Sequence, residues 1–459
     1  MKKYDIIVIG SGGGNIIAVS ASMSGYKAAV IEEWKAGGTC LNRGCIPSKM
    51  LIHPSNIATA IKESGKFGIK ARYDSVAFGK LVSRISKTVD SDSNSIRKSF
   101  KGAKNLDYYP YHAHFVSDKV LEVNGEMITA GRIYLATGAR PVIPKIEGLD
   151  KVPYMTSTEA LRNKILPKKM IVIGGGYIGC EIGNAYASFG TKVIFIVRGN
   201  CFLQREDKDI TGAFTKIFSR KNECHFNSDA CKVEYRNKTF IVHLKKKNRK
   251  ITINGDALLI ATGIRPNTDK LGLENTGIKA DKNGFVKVNK FMETSVNGVY
   301  ALGDCIGRYM FRHAVNFEAA YLLDSISGKR KPIRYMPMPH AVFTNPEIGS
   351  VGKTEDELED SGMKEGKDYI IGRSEYIESA QGLARLSEED FVKLIFERKT
   401  KKLIGAHIMG EEAAIMVHQL IYAMGKNAKL DDILGMIYIH PALPEVVRNA
   451  ARDAREKFE

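Results

Sequence analysis

Twice in this chain an apolar run ends in a glycine turn that opens a helix-like stretch. The first is DIIVIGSGGGN, a strand that stops at Gly10, with Gly12 and Gly14 in the turn and a helical pattern from Ile16 to Ser24. The second is MIVIGGGYIGCEIGNAYASFG, in which Gly174, Gly176 and Gly179 repeat the arrangement 164 residues after Gly10. Glycines let such a turn close and let backbone approach a pyrophosphate, whose charge the helix N-terminus then stabilises. Two units in one chain predict an α/β protein with two Rossmann-like domains, each holding a dinucleotide, and electrons that pass between the two.

The strand after each turn refines the reading. KAAVIEE ends in Glu32, 22 residues after Gly10, about the spacing at which a carboxylate meets an adenosine ribose. In the second unit, KVIFIV runs into Val197 and Arg198, where a unit selective for NAD carries an acid. A guanidinium there suits a 2′-phosphate, hence NADP, with NAD as the other possibility.

Between the units lies GGTCLNRGCIPSK, with Cys40 and Cys45 five residues apart. A structural disulfide, a metal site and a redox pair compete for these sulfurs. Seven cysteines in 459 residues is an odd count at low density, which argues against a disulfide framework and for a reducing, cytoplasmic setting. No second thiol or histidine pair stands at zinc spacing, so no metal is expected. Gly44 helps loop the segment, Pro47 suits the first turn of a helix, and Pro54 is expected to kink or break that helix. Cys45 at a helix N-terminus favours a thiolate. A redox pair is the reading these features favour.

No run of about 18 uninterrupted apolar residues exists, so no membrane span is expected. The apolar stretch from Tyr4 to Val19 is broken by glycines and Asn15 and is not read as a leader. The net charge of +18 is spread along the chain. Its densest run, LKKKNRK from Leu244 to Lys250, lies between strand-like segments and reads as a hairpin turn, not a phosphate patch.

These motifs together resemble the FAD-dependent pyridine-nucleotide disulfide oxidoreductases over essentially the whole chain. The match includes ATG at Ala136–Gly138 and Ala261–Gly263, YALGDC at Tyr300–Cys305 and IHPALPE at Ile439–Glu445. The resemblance implies that Cys45 faces the flavin and Cys40 attacks substrate. Lys49 and Glu181 would pair beside the flavin ring, and Tyr177 would gate the nicotinamide entrance. His440, held by Glu445, would be the proton carrier. It assigns Gly10, Gly12, Gly14, Glu32, Gly38, Thr39, Lys49, Thr137, Gly138, Gly303 and Asp304 to FAD, and Gly174, Gly176, Gly179, Arg198 and Gly263 to NAD(P).

The implied organisation is an FAD domain over 1–149, an NAD(P) domain over 150–265, a central segment over 266–333 completing the FAD site, and a C-terminal α+β interface domain over 334–459. It further implies a homodimer in which each site takes His440 from the partner. Within the family, the GSGGGN turn, FRHAVNFEA, GAHIMG and IHPALPEVVRNA resemble mycothione reductases. Mercuric reductases share QRED but end in paired cysteines, whereas here none follows Cys305. The expected function is electron transfer from NADPH through FAD and the Cys40–Cys45 disulfide to a low-molecular-weight disulfide. The alternatives are a dihydrolipoamide dehydrogenase and, from another class, a basic flavoprotein that binds nucleic acid or a partner, although neither nucleic acid nor a membrane is the expected partner.

Overall fold

The computed structural model describes residues 1–246, 249–326, 328 and 331–459. Its first sheet is built around the strand Lys2–Ile9, which pairs in parallel with Ala28–Ile31 on one side and Glu126–Leu135 on the other. Leu106–Tyr109 extends one edge in parallel, and Val299–Ala301 returns from far along the chain to lie parallel to Glu126–Leu135. The apolar runs are continuous because both faces are covered. Ile7, Ile9 and Leu135 pack on one side, while Ile6, Val8 and Val30 pack on the other.

A second parallel sheet repeats the pattern, with Glu223–Phe226, Lys192–Val197, Lys169–Ile173 and Ala257–Ile260 in spatial order. These two sheets bear out the α/β class. A three-stranded antiparallel ribbon, Asp229–Arg236, Thr239–Lys246 and Arg249–Gly255, is attached to it. Lys246 pairs with Arg249 across the expected hairpin, whose tip at 247–248 lies outside the described residues.

The C-terminal part is a five-stranded antiparallel sheet, in the order His340–Val342, Ile348–Gly352, Leu403–Met409, Phe391–Glu397 and Tyr369–Glu375. The helix Glu445–Phe458 is amphipathic and buries Val446, Val447, Ala450, Ala451 and Ala454 in the core of this part. Among the described residues no helix is long and apolar enough to cross a membrane.

Gly38–Arg43 forms a short helix that ends at Gly44, so the chain turns between the two cysteines as expected. One local expectation is corrected. Pro54 does not break the next helix, which runs unbroken from Cys45 to Glu63. Proline removes one backbone donor there, and burial of Leu51, Ile52, Ser55 and Ala58 along the same helix holds it together.

Candidate active site

The two glycine turns are built alike. At both Gly10 and Gly174 φ is positive, +99° and +125°, and a Cβ would stand 2.2 Å from a carbonyl oxygen, that of Ala136 at the first and Ala261 at the second. Each alanine opens an ATG triplet, so the ATG at the end of one strand closes over the glycine at the end of its neighbour. Only glycine fits so close an approach with that backbone. Immediately after each triplet the chain forms a short strand. These two, Ala139–Pro141 and Ile264–Pro266, pair antiparallel with Arg140 opposite Arg265. The C-terminal ends of the two parallel sheets are thereby tied together, where α/β folds bind ligands.

The first turn suits an adenine dinucleotide. Glu32 Oε2 accepts from Ser11 N at 3.0 Å and Ser11 Oγ at 2.7 Å, and Oε1 accepts from Trp34 N at 3.1 Å. This fixes the carboxylate at the strand ends and leaves lone pairs for ribose hydroxyls. Asn15 Oδ1 is buried with no hydrogen-bond partner among the described residues, an unsatisfied acceptor in the wall of the turn. Gly12 lies against Gly38, so the turn and the segment bearing Thr39 and Cys40 touch directly. Asn267 holds the first triplet, its N donating to Gly138 O at 3.0 Å and its Nδ2 to Thr137 O at 2.9 Å. From the returning chain, Gly303 N donates to Glu318 Oε2 at 2.7 Å, and burial pushes the neighbouring Asp304 carboxyl up to about 6. Thus the residues present fit FAD.

In the second unit, Gly176 is open while Gly179 packs against Gly174 O, and Gly263 O accepts from Val142 N at 2.9 Å. Arg198 is 86% exposed, and its Nε donates to Asp229 Oδ1 at 2.9 Å. Its terminal nitrogens bond nothing among the described residues and are free for an anion. Asp229 was not anticipated, because it lies 31 positions away on a different strand.

Cys40 and Cys45 are both free thiols. Gly44 brings them together: a Cβ there would lie 2.9 Å from Thr39 O and 3.3 Å from Cys40 Cα. Cys45 is the first residue of its helix, as expected. The neighbouring Cys45, aided by Arg312 and Lys49 and opposed by burial, brings Cys40 down to about 7. The neighbouring Cys40 in turn pushes Cys45 up. The two thiols therefore titrate as a coupled pair, in which the helix N-terminus at Cys45 and the nearby cations both favour holding one thiolate.

Helix Cys45–Glu63 then places Lys49 one turn on from Cys45, with its Nζ 2.8 Å from Glu181 Oε2 and 4.2 Å from the centre of the Phe343 ring. Glu181 also accepts from Phe343 N at 3.0 Å. Tyr177 opens the same helix as Glu181, and its hydroxyl donates to Glu206. Cysteine pair, cation, acid and tyrosine therefore converge between the two glycine turns. Glu206, His340 and Phe343 are additional members that pattern reading did not find. The cluster Asp207, Asp209 and Glu355, the one group of carboxylates among the described residues dense enough for a metal, instead surrounds Lys393 Nζ at 2.6–2.7 Å.

His440 is placed otherwise. Its Nδ1 is 3.0–3.1 Å from the Glu445 carboxylate, which also accepts from Ala442 N and Arg448. The bond to His440 is the chief cause of a lowered Glu445 carboxyl. The imidazole side chain is 73% exposed, its Nε2 without a partner among the described residues, within a stretch where Ile437 and Ile439 are exposed as well. That is an apolar surface suited to a second chain.

The profile described as pyridine nucleotide-disulphide oxidoreductase matches residues 4–319, and the one described as its dimerisation domain matches 338–451. Mycothione reductase of Mycobacterium tuberculosis is 35% identical, covering 98% of this chain and 99% of that protein. Dihydrolipoyl dehydrogenase of Bacillus subtilis is also 35% identical, over 98% and 96%. Among solved structures, the HOCl-induced flavoprotein disulfide reductase RclA of Escherichia coli, as a Cu(II) complex, superposes with a TM-score of 0.88 at 26% identity, covering 98% of this chain and 99% of that one.

Proposed function

The chain belongs to the pyridine nucleotide-disulphide oxidoreductase family, and on that premise we propose that it carries two electrons from NADPH through FAD to Cys40 and Cys45 and on to a low-molecular-weight disulfide, as a mycothione-reductase-like enzyme. The observation that carries this reading is the dithiol lying beside the Lys49–Glu181 pair between two glycine turns. FAD, when bound, supplies the two-electron relay between the nicotinamide and the cysteines. Gly10, Gly12, Gly14, Glu32, Gly38, Thr39, Lys49, Thr137, Gly138, Gly303 and Asp304 hold it. Gly174, Gly176, Gly179, Gly263 and Arg198 hold NADPH, the last through the 2′-phosphate.

The Cys40 thiolate attacks one sulfur of the substrate, forming a mixed disulfide and releasing the other half as a thiolate. His440 of the partner subunit gives that leaving group its proton, Glu445 of the same partner holding the ring in the tautomer that leaves Nε2 outward. Cys45 then attacks the Cys40 sulfur, releasing the second half as thiolate and closing the Cys40–Cys45 disulfide. The two sulfurs of the pair have been oxidised and the two of the substrate reduced, so one NADPH balances each turnover. Exposure of His440 supports a homodimer, since an imidazole far from covered in one chain becomes part of a site when two chains join. The sparse cysteines support a cytoplasmic setting.

One observation favours a second reading. Asp229 engages Arg198, and a guanidinium already paired selects less sharply for a 2′-phosphate. The protein would then act as a dihydrolipoamide dehydrogenase, running NAD-linked oxidation in the opposite direction. Assay of the purified holoenzyme with each nicotinamide against cellular disulfides and against lipoamide separates them. NADPH-dependent reduction of a thiol disulfide is expected, and dihydrolipoamide oxidation with NAD as the dominant activity overturns it.

A further inference from the structure

Glu206 is a carboxylate whose side chain has no exposed surface. Such a charge persists in a protein interior only when it is bonded on several sides. Its Oε1 accepts from Tyr177 Oη at 2.5 Å and lies 2.9 Å from His340 Nε2, while Oε2 accepts from Ser350 Oγ at 3.0 Å. Burial works against the charge, but the bonds from His340 and Tyr177 outweigh it and hold the carboxyl below its ordinary value. His340 and Ser350 are register partners on neighbouring strands of the C-terminal sheet. Tyr177 belongs to the helix after the second glycine turn. The acid therefore joins the tyrosine to a different part of the molecule.

The joint is stiff on both sides. Asp207, the next residue, accepts from Lys393 Nζ at 2.7 Å and from Glu355 N at 2.9 Å, both on the C-terminal part, and Lys393 is wholly buried. Glu206 cannot follow a moving tyrosine while its neighbour is held there. The Tyr177 ring itself stacks on His340 at 6.1 Å and 16° and on Phe311 at 6.5 Å and 21°.

Resting on the reading of Tyr177 as the gate at the nicotinamide entrance, we infer that Glu206 is a positioning residue that latches the gate shut through the tyrosine hydroxyl. The nicotinamide ring enters only after this bond breaks. The closed form is then the dominant one, and the apparent dissociation constant for the nucleotide is raised by the small fraction of open gates. The latch sets how tightly NADPH binds.

Rapid mixing of the FAD-loaded protein with increasing NADPH, followed by bleaching of the flavin absorbance, tests this. Tyr177→Phe removes one hydroxyl and keeps the stacked ring, and Glu206→Gln removes the charge. Each is expected to tighten the apparent dissociation constant about tenfold, the ratio of one charge-assisted hydrogen bond. The double variant is expected to match the singles, because both break the same bond. Unchanged or weakened affinity in Tyr177→Phe, or effects that multiply in the double variant, overturns the latch. Tyr177→Ala serves as the separate test of the gate: if both its affinity and its limiting rate equal those of wild type, the tyrosine is not at the entrance and that reading fails instead. Should Glu206→Gln lose FAD, Tyr177→Phe still decides.

Discussion

Lys49 Nζ lies 2.8 Å from Glu181 Oε2, so the helix that begins with Cys45 is bonded to the helix that follows the second glycine turn. The pair is 37% exposed at the lysine and 11% at the acid. Such a contact contributes little to stability, about 1 kcal/mol or less. Its worth lies in fixing a cation between the two dinucleotide units. Glu181→Gln should therefore lower nicotinamide-driven turnover by about tenfold or more while shifting the unfolding midpoint by only a few degrees. A variant that loses stability and activity in proportion would show that the pair is structural only.

The cysteine pair makes a prediction in pH. Thiolates alkylate and thiols do not, and Cys40 is brought down to about 7 by its neighbour Cys45 and by Arg312 and Lys49. In the reduced protein, labelling of Cys40 by iodoacetamide should rise as pH is raised through about 7, with Cys45 lagging well behind. Arg312→Gln should move the midpoint upward by removing a positive charge. Peptide mapping that finds Cys45 labelled first would reverse the assignment of the charge.

If His440 serves the partner's cysteines, two inactive variants should rescue each other. Cys40→Ser and His440→Ala are each expected to be nearly dead as homodimers. In a mixed dimer one site carries both defects and the other neither. With random exchange, half the dimers are mixed and half their sites work, so roughly a quarter of the wild-type activity should return. If the histidine served its own chain, every site would keep one defect and confirmed exchange would restore nothing.

Arg198 and Asp229 offer a test with two opposite signs. Arg198→Glu should weaken NADPH strongly and NADH little, since it removes a bond to the phosphate and adds repulsion. Asp229→Asn should strengthen NADPH by releasing a guanidinium that is now paired. Equal changes for both nucleotides would mean that Arg198 does not read the 2′-phosphate.

What the sequence determined by itself were the features written in neighbouring residues. Glycines beside apolar runs specify two strand–turn–helix units because the close approach of Ala136 and Ala261 to Gly10 and Gly174 admits no side chain. Two cysteines with a glycine between them specify the pair, and an acid five residues beyond His440 specifies its partner. Each is a constraint on local backbone, and local backbone leaves a pattern.

Only the tertiary structure decided where charges stand. Glu206 and His340 are 134 residues apart, Lys49 and Glu181 132, and Lys393 and Asp207 186. A carboxylate's ionisation depends on what surrounds it in space, and folding brings these partners together with no periodicity to announce them. The same holds for Pro54, whose missing donor is outweighed by a helix face packed into the core, and for Cys40, whose lowered thiol depends on a sulfur and a lysine from one helix and an arginine from another far along the chain.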